Sequence, residues 1–206
     1  MYLTADKVTN ALLKAQHVLA RPEIFAGDIR LIPISIDQLK DTVAEMSGYE
    51  IIARHVSFDG SYILGRCEKW DNKKAIIDIK YDLAEDWARF VTAKELLHLI
   101  IDSEEDMSPY GDEILEKLVQ EGHIGVISKN GDKPAAQSEL VAEVAAIELL
   151  YPIQLRLQDY AERDRRPLNM RKLALRYGIP VNFIETAFSA GYLGTIREAA
   201  REHLQM

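Results

Sequence analysis

The spacing of apolar positions predicts a mainly helical chain with one short β region. Apolar residues recur every three or four positions over residues 5–19, 36–47 and 88–101, which is the spacing of one helix face. Between residues 50 and 81 the spacing changes to every second position, which is typical of half-buried strands. The strands predicted there are residues 51–58, 62–67 and 75–81. We therefore expect an α+β fold in which helices dominate.

Turn-forming pairs predict how the three strands are joined. Asp59-Gly60 and Asp71-Asn72 lie between consecutive predicted strands and are typical of tight turns. We therefore expect a three-stranded antiparallel meander, one face of which is covered by a helix. In the third strand we expect Ala75, Ile77, Ile79 and Tyr81 to lie on one face.

The helix predicted at residues 88–101 carries a charged motif within an apolar surface. Its main stripe consists of Phe90, Val91, Lys94, His98 and Ile101. Leu96 and Leu99 make the opposite side apolar as well, so we expect this helix at the centre of the fold. A lysine in such a stripe has to be paired or neutralised. With histidine in place of Lys94, the run KELLH at residues 94–98 would match H-E-x-x-H, a zinc protease motif.

Charge and cysteine content narrow the class of protein. The 206-residue chain has a formal net charge of −8, which disfavours a protein that coats DNA. Its single cysteine, Cys67, excludes an intrachain disulfide and fits a reducing compartment. No apolar run approaches the roughly 18 residues that span a bilayer. We expect a cytoplasmic protein without a membrane segment.

The chain after the central helix is predicted to be helical and to divide in two. A second strongly apolar helix is predicted at residues 138–150, and residues 169–189 resemble a helix-turn-helix. Residues 162–206 contain eight basic and five acidic residues, so they carry +3 and the rest of the chain carries −11. We therefore predict a main domain at residues 1–161 and a helical C-terminal subdomain at residues 162–206. A short strand at residues 29–32 and a helix at residues 113–120 complete the prediction.

The order of these elements resembles the ImmA/IrrE family of bacterial and phage zinc metallopeptidases, over roughly residues 30–152. The matching residues are Arg89, Phe90, Ala93, Glu95, Leu96, His98, Leu149, Leu150 and Pro152. The resemblance implies a zincin-type central helix, with His98 as a zinc ligand and Glu95 acting on the zinc-bound water. It also implies a third ligand, a glutamate from the later helix, and cleavage of a partner repressor. Such a site leaves one position open for the water that becomes the nucleophile.

The sequence departs from the family motif at three positions. Lys94 replaces the first histidine, and a protonated lysine has no lone pair for zinc. Leu97 replaces a glycine that is common in the motif. Alignment through the Leu149, Leu150 and Pro152 signature puts Val141 in the place of the third ligand. Glu139 and Glu143 then lie about 200° around the helix from it, although a shift of register brings either one in.

These departures predict a degenerate metallopeptidase site and no metal cofactor. We hypothesise that the Lys94 ammonium fills the space of the zinc ion and compensates Glu139 or Glu143. The predicted function is a catalytically impaired regulator, of a bacterium or its mobile element, that binds a protein partner. The alternative is an active zinc endopeptidase with Glu95 as catalytic base and His98, Glu139 or Glu143 as metal ligands. The sequence does not predict the oligomeric state.

A DNA-binding regulator is a third reading of the basic C-terminal subdomain. The second helix of the helix-turn-helix-like segment carries Asn182 and Glu185 but no lysine or arginine. Phosphate binding needs cations, and base reading commonly uses Arg, Lys, Asn or Gln near the start of that helix. We therefore expect this segment to pack or to bind a protein, and nucleic acid is not the expected partner.

Overall fold

A computed structural model describes residues 5–22, 24, 33–58, 63–102, 134–162 and 167–203. Within these ranges the protein is mainly helical, with eight helices and one three-stranded sheet. The first five elements are α1 (Ala5–Leu19), α2 (Ile36–Ser47), β1 (Glu50–Val56), β2 (Gly65–Trp70) and β3 (Lys74–Lys80). The remaining helices are α3 (Glu85–Ile101), α4 (Pro134–Leu150), α5 (Ile153–Ala161), α6 (Met170–Tyr177), α7 (Val181–Phe188) and α8 (Ala190–His203). The strand predicted at residues 29–32 and the helix predicted at residues 113–120 lie outside the described residues.

The sheet is mixed, and the predicted antiparallel meander is wrong. The strand order is β1-β3-β2, with β1 parallel to β3 and β2 antiparallel to β3. The turn predicted at Asp59-Gly60 lies outside the described residues. That turn was expected to pair β1 with β2, but β3 lies between these two strands. The strand with the most buried apolar side chains takes the central position, where neighbours cover both of its edges. Its buried apolar face consists of Ala75, Ile77 and Ile79, whereas Tyr81 lies beyond the strand and is exposed.

A buried carboxylate fixes the register of the three strands. Asp78 on β3 lies opposite Arg54 on β1 and opposite Arg66 on β2. Arg54 Nε donates to Asp78 Oδ1 at 2.5 Å, and Arg66 Nη2 donates to Asp78 Oδ2 at 2.9 Å. Burial raises the pKa of Asp78, but the hydrogen bonds and charges of the two arginines outweigh burial and lower the pKa overall. A slip of either neighbour would remove one of these cations from a buried acid.

Helix α3 lies against the apolar face of the sheet, to which Ile77 and Ile79 belong. It is buried nearly all round, as predicted. Phe90, Leu96 and Leu99 are buried on different sides of it. Gly65 brings the start of β2 close to this helix. A Cβ at Gly65 would collide with Val91 and lie 2.9 Å from Glu95 Cγ, so the absence of a side chain permits the contact. The sheet therefore presses on α3 at the position of the KELLH motif.

Helix α4 packs against both α3 and α1, and the C-terminal helices pack on the same core. Phe183 of α7 stacks on Phe90 of α3, with ring centroids 3.7 Å apart. Beyond them, Tyr192 of α8 donates to Glu148 of α4 at 3.4 Å, and Glu148 also pairs with the buried Arg156. These contacts cross residue 162, and the division into two domains there stays a prediction. None of the helices in the described ranges is long and apolar enough to cross a membrane.

Candidate functional site

The functional candidates on α3 converge on one carboxylate of α4. Lys94 and His98 are four residues apart, so both side chains leave the helix on the same face. Lys94 Nζ donates to Glu139 Oε2 at 2.5 Å, and His98 Nε2 lies 3.4 Å from Glu139 Oε1. Lys94 Nζ also lies 3.0 Å from Glu95 Oε1. We call these four residues, Lys94, Glu95, His98 and Glu139, the Lys94 cluster.

The contact between Lys94 and Glu95 is an ion pair without the alignment of a hydrogen bond. Glu95 Oε1 is buried and has no hydrogen-bond donor among the described residues. His98 Nε2 is likewise buried and without a hydrogen-bond partner there, although the Glu139 carboxylate lies nearby. The cluster therefore contains two buried polar atoms that only the charges around them stabilise.

Glu139, and not Val141, supplies the carboxylate of α4 to the site. The carboxylate that contacts Lys94 and His98 lies two residues before the position given by the alignment through Leu149, which on a helix is close to the opposite face. Val141 instead belongs to the apolar core. Glu143 lies one turn further along α4, and burial is the main cause of its raised pKa. The charge of Lys94 opposes that rise and the charge of Glu139 adds to it, so Glu143 acts on the cluster at longer range.

Two residues that the sequence interpretation missed hold the other side of the His98 ring. Asp102 Oδ2 lies 2.8 Å from His98 Nδ1, and Ser138 Oγ donates to Asp102 Oδ1 at 2.6 Å. Asp102 follows His98 by four residues, a spacing that could have indicated the contact. No comparable sequence signal identifies Ser138. Because Asp102 and Ser138 both lie at Nδ1, they orient the ring and do not form a Ser-His-Asp nucleophile, in which serine contacts Nε2.

The surrounding carboxylates favour the charged forms of both basic groups. Burial lowers the pKa of Lys94, but the charges of Glu139 and Glu95 outweigh burial and raise the pKa overall. The same balance raises the pKa of His98 to about 10, through the hydrogen bond to Asp102 and the charge of Glu139. Burial raises the pKa of Glu139, whereas Lys94 and His98 lower it further than burial raises it. At neutral pH the site therefore holds an ammonium, an imidazolium and their carboxylate partners.

Cys67 of β2 adds no nucleophile to this site. Burial is the main cause of the raised pKa of its thiol, and the negative charges of Glu95, Asp102 and Glu139 raise it further. A thiol reacts as the thiolate, which this surrounding disfavours. The surroundings of Cys67 therefore suit packing and not nucleophilic attack.

The residues of the Lys94 cluster do not fit a zinc ion. His98 Nε2 and Glu139 are suitable ligand types, but Lys94 offers an ammonium where a third ligand would be needed. That ammonium also bonds the same carboxylate that zinc would use. Over the described ranges, no three His, Cys, Asp or Glu side chains are grouped so that they could hold a metal ion. The roles predicted for Glu95, His98, Glu139 and Glu143 as base and metal ligands stay predictions.

Comparisons with known proteins add no family assignment to this geometry. No protein-family model matches the chain, and no curated protein matches it. The resemblance to ImmA/IrrE metallopeptidases therefore depends on the motif residues and on the order of the elements.

Proposed function

We propose that this protein is an ImmA/IrrE-like regulator that binds a protein partner and has lost the zinc chemistry of the family. The observation that carries the proposal is the position of the Lys94 ammonium between Glu139 and Glu95. In an active member of the family, the glutamate at position 95 would act on a metal-bound water. Here the ammonium engages that carboxylate, so no base is free to activate water.

The charges of the site support a metal-free state. The Lys94 ammonium and the His98 imidazolium together supply two positive charges, which equals the charge of one zinc ion. They face the carboxylates of Glu95, Glu139 and Asp102. A buried carboxylate is costly unless a cation compensates it, and these two side chains offset two of the three negative charges without an external ion.

Metal analysis of three forms of the protein tests the proposal. Purified wild type, Lys94→His and the double variant Lys94→His/His98→Ala are incubated with zinc, dialysed and analysed for bound metal. We expect no stoichiometric zinc on the wild type, about one zinc ion on Lys94→His because the histidine restores a ligand, and none on the double variant. Stoichiometric zinc on the wild type that is lost on His98→Ala would overturn the proposal.

The second candidate function is a zinc endopeptidase, and one observation favours it. His98 Nε2 is buried without a hydrogen-bond partner in the described structure, as an unmetallated ligand atom would be. The Lys94 side chain would then have to turn out of the site to free Glu139. Hydrolysis of a peptide library by the zinc-treated wild type, abolished by Glu95→Gln, would establish this function. We expect no difference between wild type and Glu95→Gln.

A further inference from the structure

Helix α6 turns one fixed face toward the core. The Asn169 side chain caps its first turn by accepting from Lys172 N at 3.0 Å, and Gly178 ends the helix in the left-handed conformation. Leu173 and Tyr177 are buried, and the Tyr177 hydroxyl donates to Asp159 at 2.6 Å. The orientation of α6 is therefore set by its caps and by its buried side.

The outward side of α6 carries a large apolar residue among basic ones. Leu175 is 84% exposed, the highest value among the large apolar side chains of the described residues. Arg171 and Lys172 are exposed and precede it by four and three positions, so all three share one helix face. We call Arg171, Lys172 and Leu175 the α6 surface. Isolated exposed leucines are common, but the two cations one turn before this one give the surface a defined chemistry.

The cations of the α6 surface are available to a partner. Over the described ranges, neither Arg171 nor Lys172 forms an ion pair with a carboxylate. The neighbouring Arg176 pairs with Asp159 at 3.1 Å, yet its side chain is 61% exposed. Residues 163–176 contain six basic residues and one acidic residue in a chain of net charge −8. The positive charge is therefore local, and its complement is an acidic group.

The charges and the apolar residue favour a protein over a nucleic acid as the occupant. In a helix-turn-helix, α7 would enter the major groove. That helix buries Phe183 and Ile184 in the core, exposes Glu185 and carries no lysine or arginine. Phosphates also offer no apolar contact for Leu175, whereas an acidic peptide with a large apolar side chain provides both interactions.

We propose that the α6 surface docks an acidic segment of a partner protein, in which carboxylates pair with Arg171 and Lys172 and an apolar side chain covers Leu175. The inference rests on the proposed function only in taking the partner to be a protein. It uses no residue of the Lys94 cluster, so the presence or absence of zinc leaves it unchanged.

Peptide selection on the full-length protein tests this docking surface. A random peptide library displayed on phage is selected on the wild type, with counter-selection on Arg171→Glu/Leu175→Ser. The matched control Lys74→Glu/Leu13→Ser makes the same change of charge and polarity at an exposed lysine of β3 and an exposed leucine of α1. Unchanged thermal unfolding of both variants shows that they are folded.

The enriched peptides are synthesised, labelled and titrated by fluorescence anisotropy at low and high salt. We expect sequences rich in Asp and Glu with a large apolar residue, bound at least about tenfold more weakly by Arg171→Glu/Leu175→Ser and equally well by the control. Binding should also weaken with salt.

Three results would overturn the inference. One is a selection that enriches no peptide, or that enriches peptides bound equally well by wild type and by Arg171→Glu/Leu175→Ser, which we call the α6 variant. Another is duplex DNA binding by the wild type that the α6 variant abolishes, which would assign the surface to nucleic acid. The third is self-association in sedimentation that only the α6 variant abolishes, which would assign the surface to a second copy of the chain.

Discussion

Asp78 and Glu139 each lie between two basic groups. Asp78 is more buried than its basic partners, whereas Glu139 is less buried than its own. Asp78 is buried at the centre of the sheet, and its partners Arg54 and Arg66 are 51% and 35% exposed in their side chains. The cations there remain partly solvated, so water compensates them if the acid is lost. This cluster is well suited to stabilising the sheet.

In the Lys94 cluster the cations are more buried than the acid that joins them. The Lys94 and His98 side chains are 18% and 6% exposed, and Glu139 is 26% exposed. Loss of Glu139 would leave two buried cations with only Glu95 and Asp102 as partners, which is costly because water does not reach them easily. The Asp78 cluster therefore supports the sheet, whereas the Lys94 cluster keeps two buried cations beside the carboxylates of Glu95, Glu139 and Asp102.

The largest expected effect is the loss of Lys94. Lys94→Met keeps most of the side-chain volume but leaves Glu95 without its cation and Glu139 with His98 alone. Removing one partner of a buried pair costs about 3–5 kcal/mol, so we expect a loss of that order in the free energy of unfolding at neutral pH. Chemical denaturation measures it. Added zinc should not restore the stability of Lys94→Met, and stability equal to that of the wild type would contradict the assignment of Lys94 as the compensating charge.

Gly65→Ala tests the contact between the sheet and the Lys94 cluster. The new Cβ would collide with Val91 and lie 2.9 Å from Glu95 Oε1, so β2 or the Glu95 side chain has to move. Overpacking of this kind costs about 1–3 kcal/mol, which thermal or chemical unfolding detects. Gly191→Ala is the control, since no atom of the described residues lies within 4 Å of the Cβ position there. Equal stability of Gly65→Ala and wild type would show that the close approach of β2 is not required.

Asp78→Asn should cost less than the loss of Lys94, about 1–2 kcal/mol, because the arginines that it leaves are partly solvated. The effect should depend on pH. Since the folded-state pKa of Asp78 is lowered, its contribution is present above the unfolded pKa of about 3.9 and is lost as the pH falls through the folded value. Unfolding measured from neutral to acidic pH should therefore show wild type and Asp78→Asn converging in acid. A constant difference would argue against a charged Asp78.

The smallest expected effect concerns the protonation of the His98 ring, which can be measured on the folded wild type. Its raised pKa means that stabilisation by the imidazolium is present below the unfolded pKa of about 6.5 and is lost as the pH rises through about 10. NMR shifts of the ring nitrogens, assigned with His98→Gln, should show a doubly protonated ring at pH 8. A neutral ring at that pH would contradict the ion-pair description and would fit a metal ligand.

Local patterns predicted the helices that build the site. The alternation correctly placed Ala75, Ile77 and Ile79 on one face of β3, which is buried, and the apolar pattern of residues 88–101 identified a helix buried nearly all round. Ser35 caps the start of α2, and Gly48, in the left-handed conformation, ends the helix, which is the usual capping chemistry of these residues. Local sequence therefore suffices for elements whose period and caps agree.

The pairing of the strands and the side of α4 that faces α3 could not be predicted from the same signals. Turn residues indicate where a chain reverses, but they do not show that β3 inserts between β1 and β2, because that depends on which strand buries the most surface. The alignment pointed to Val141, whereas the side chain that faces the site is Glu139, and two residues on a helix amount to about half a turn. Ser138 reaches Asp102 only through the packing of α4 on α3, which no spacing in the sequence records.

A crystal structure of the wild type grown with zinc, with anomalous diffraction recorded at the zinc absorption edge, tests the central claim most directly. We expect no anomalous peak between His98 Nε2 and Glu139, and we expect Lys94 Nζ within hydrogen-bonding distance of the Glu139 carboxylate. A peak bonded to His98 and Glu139, with the Lys94 side chain turned out of the cluster, would contradict it.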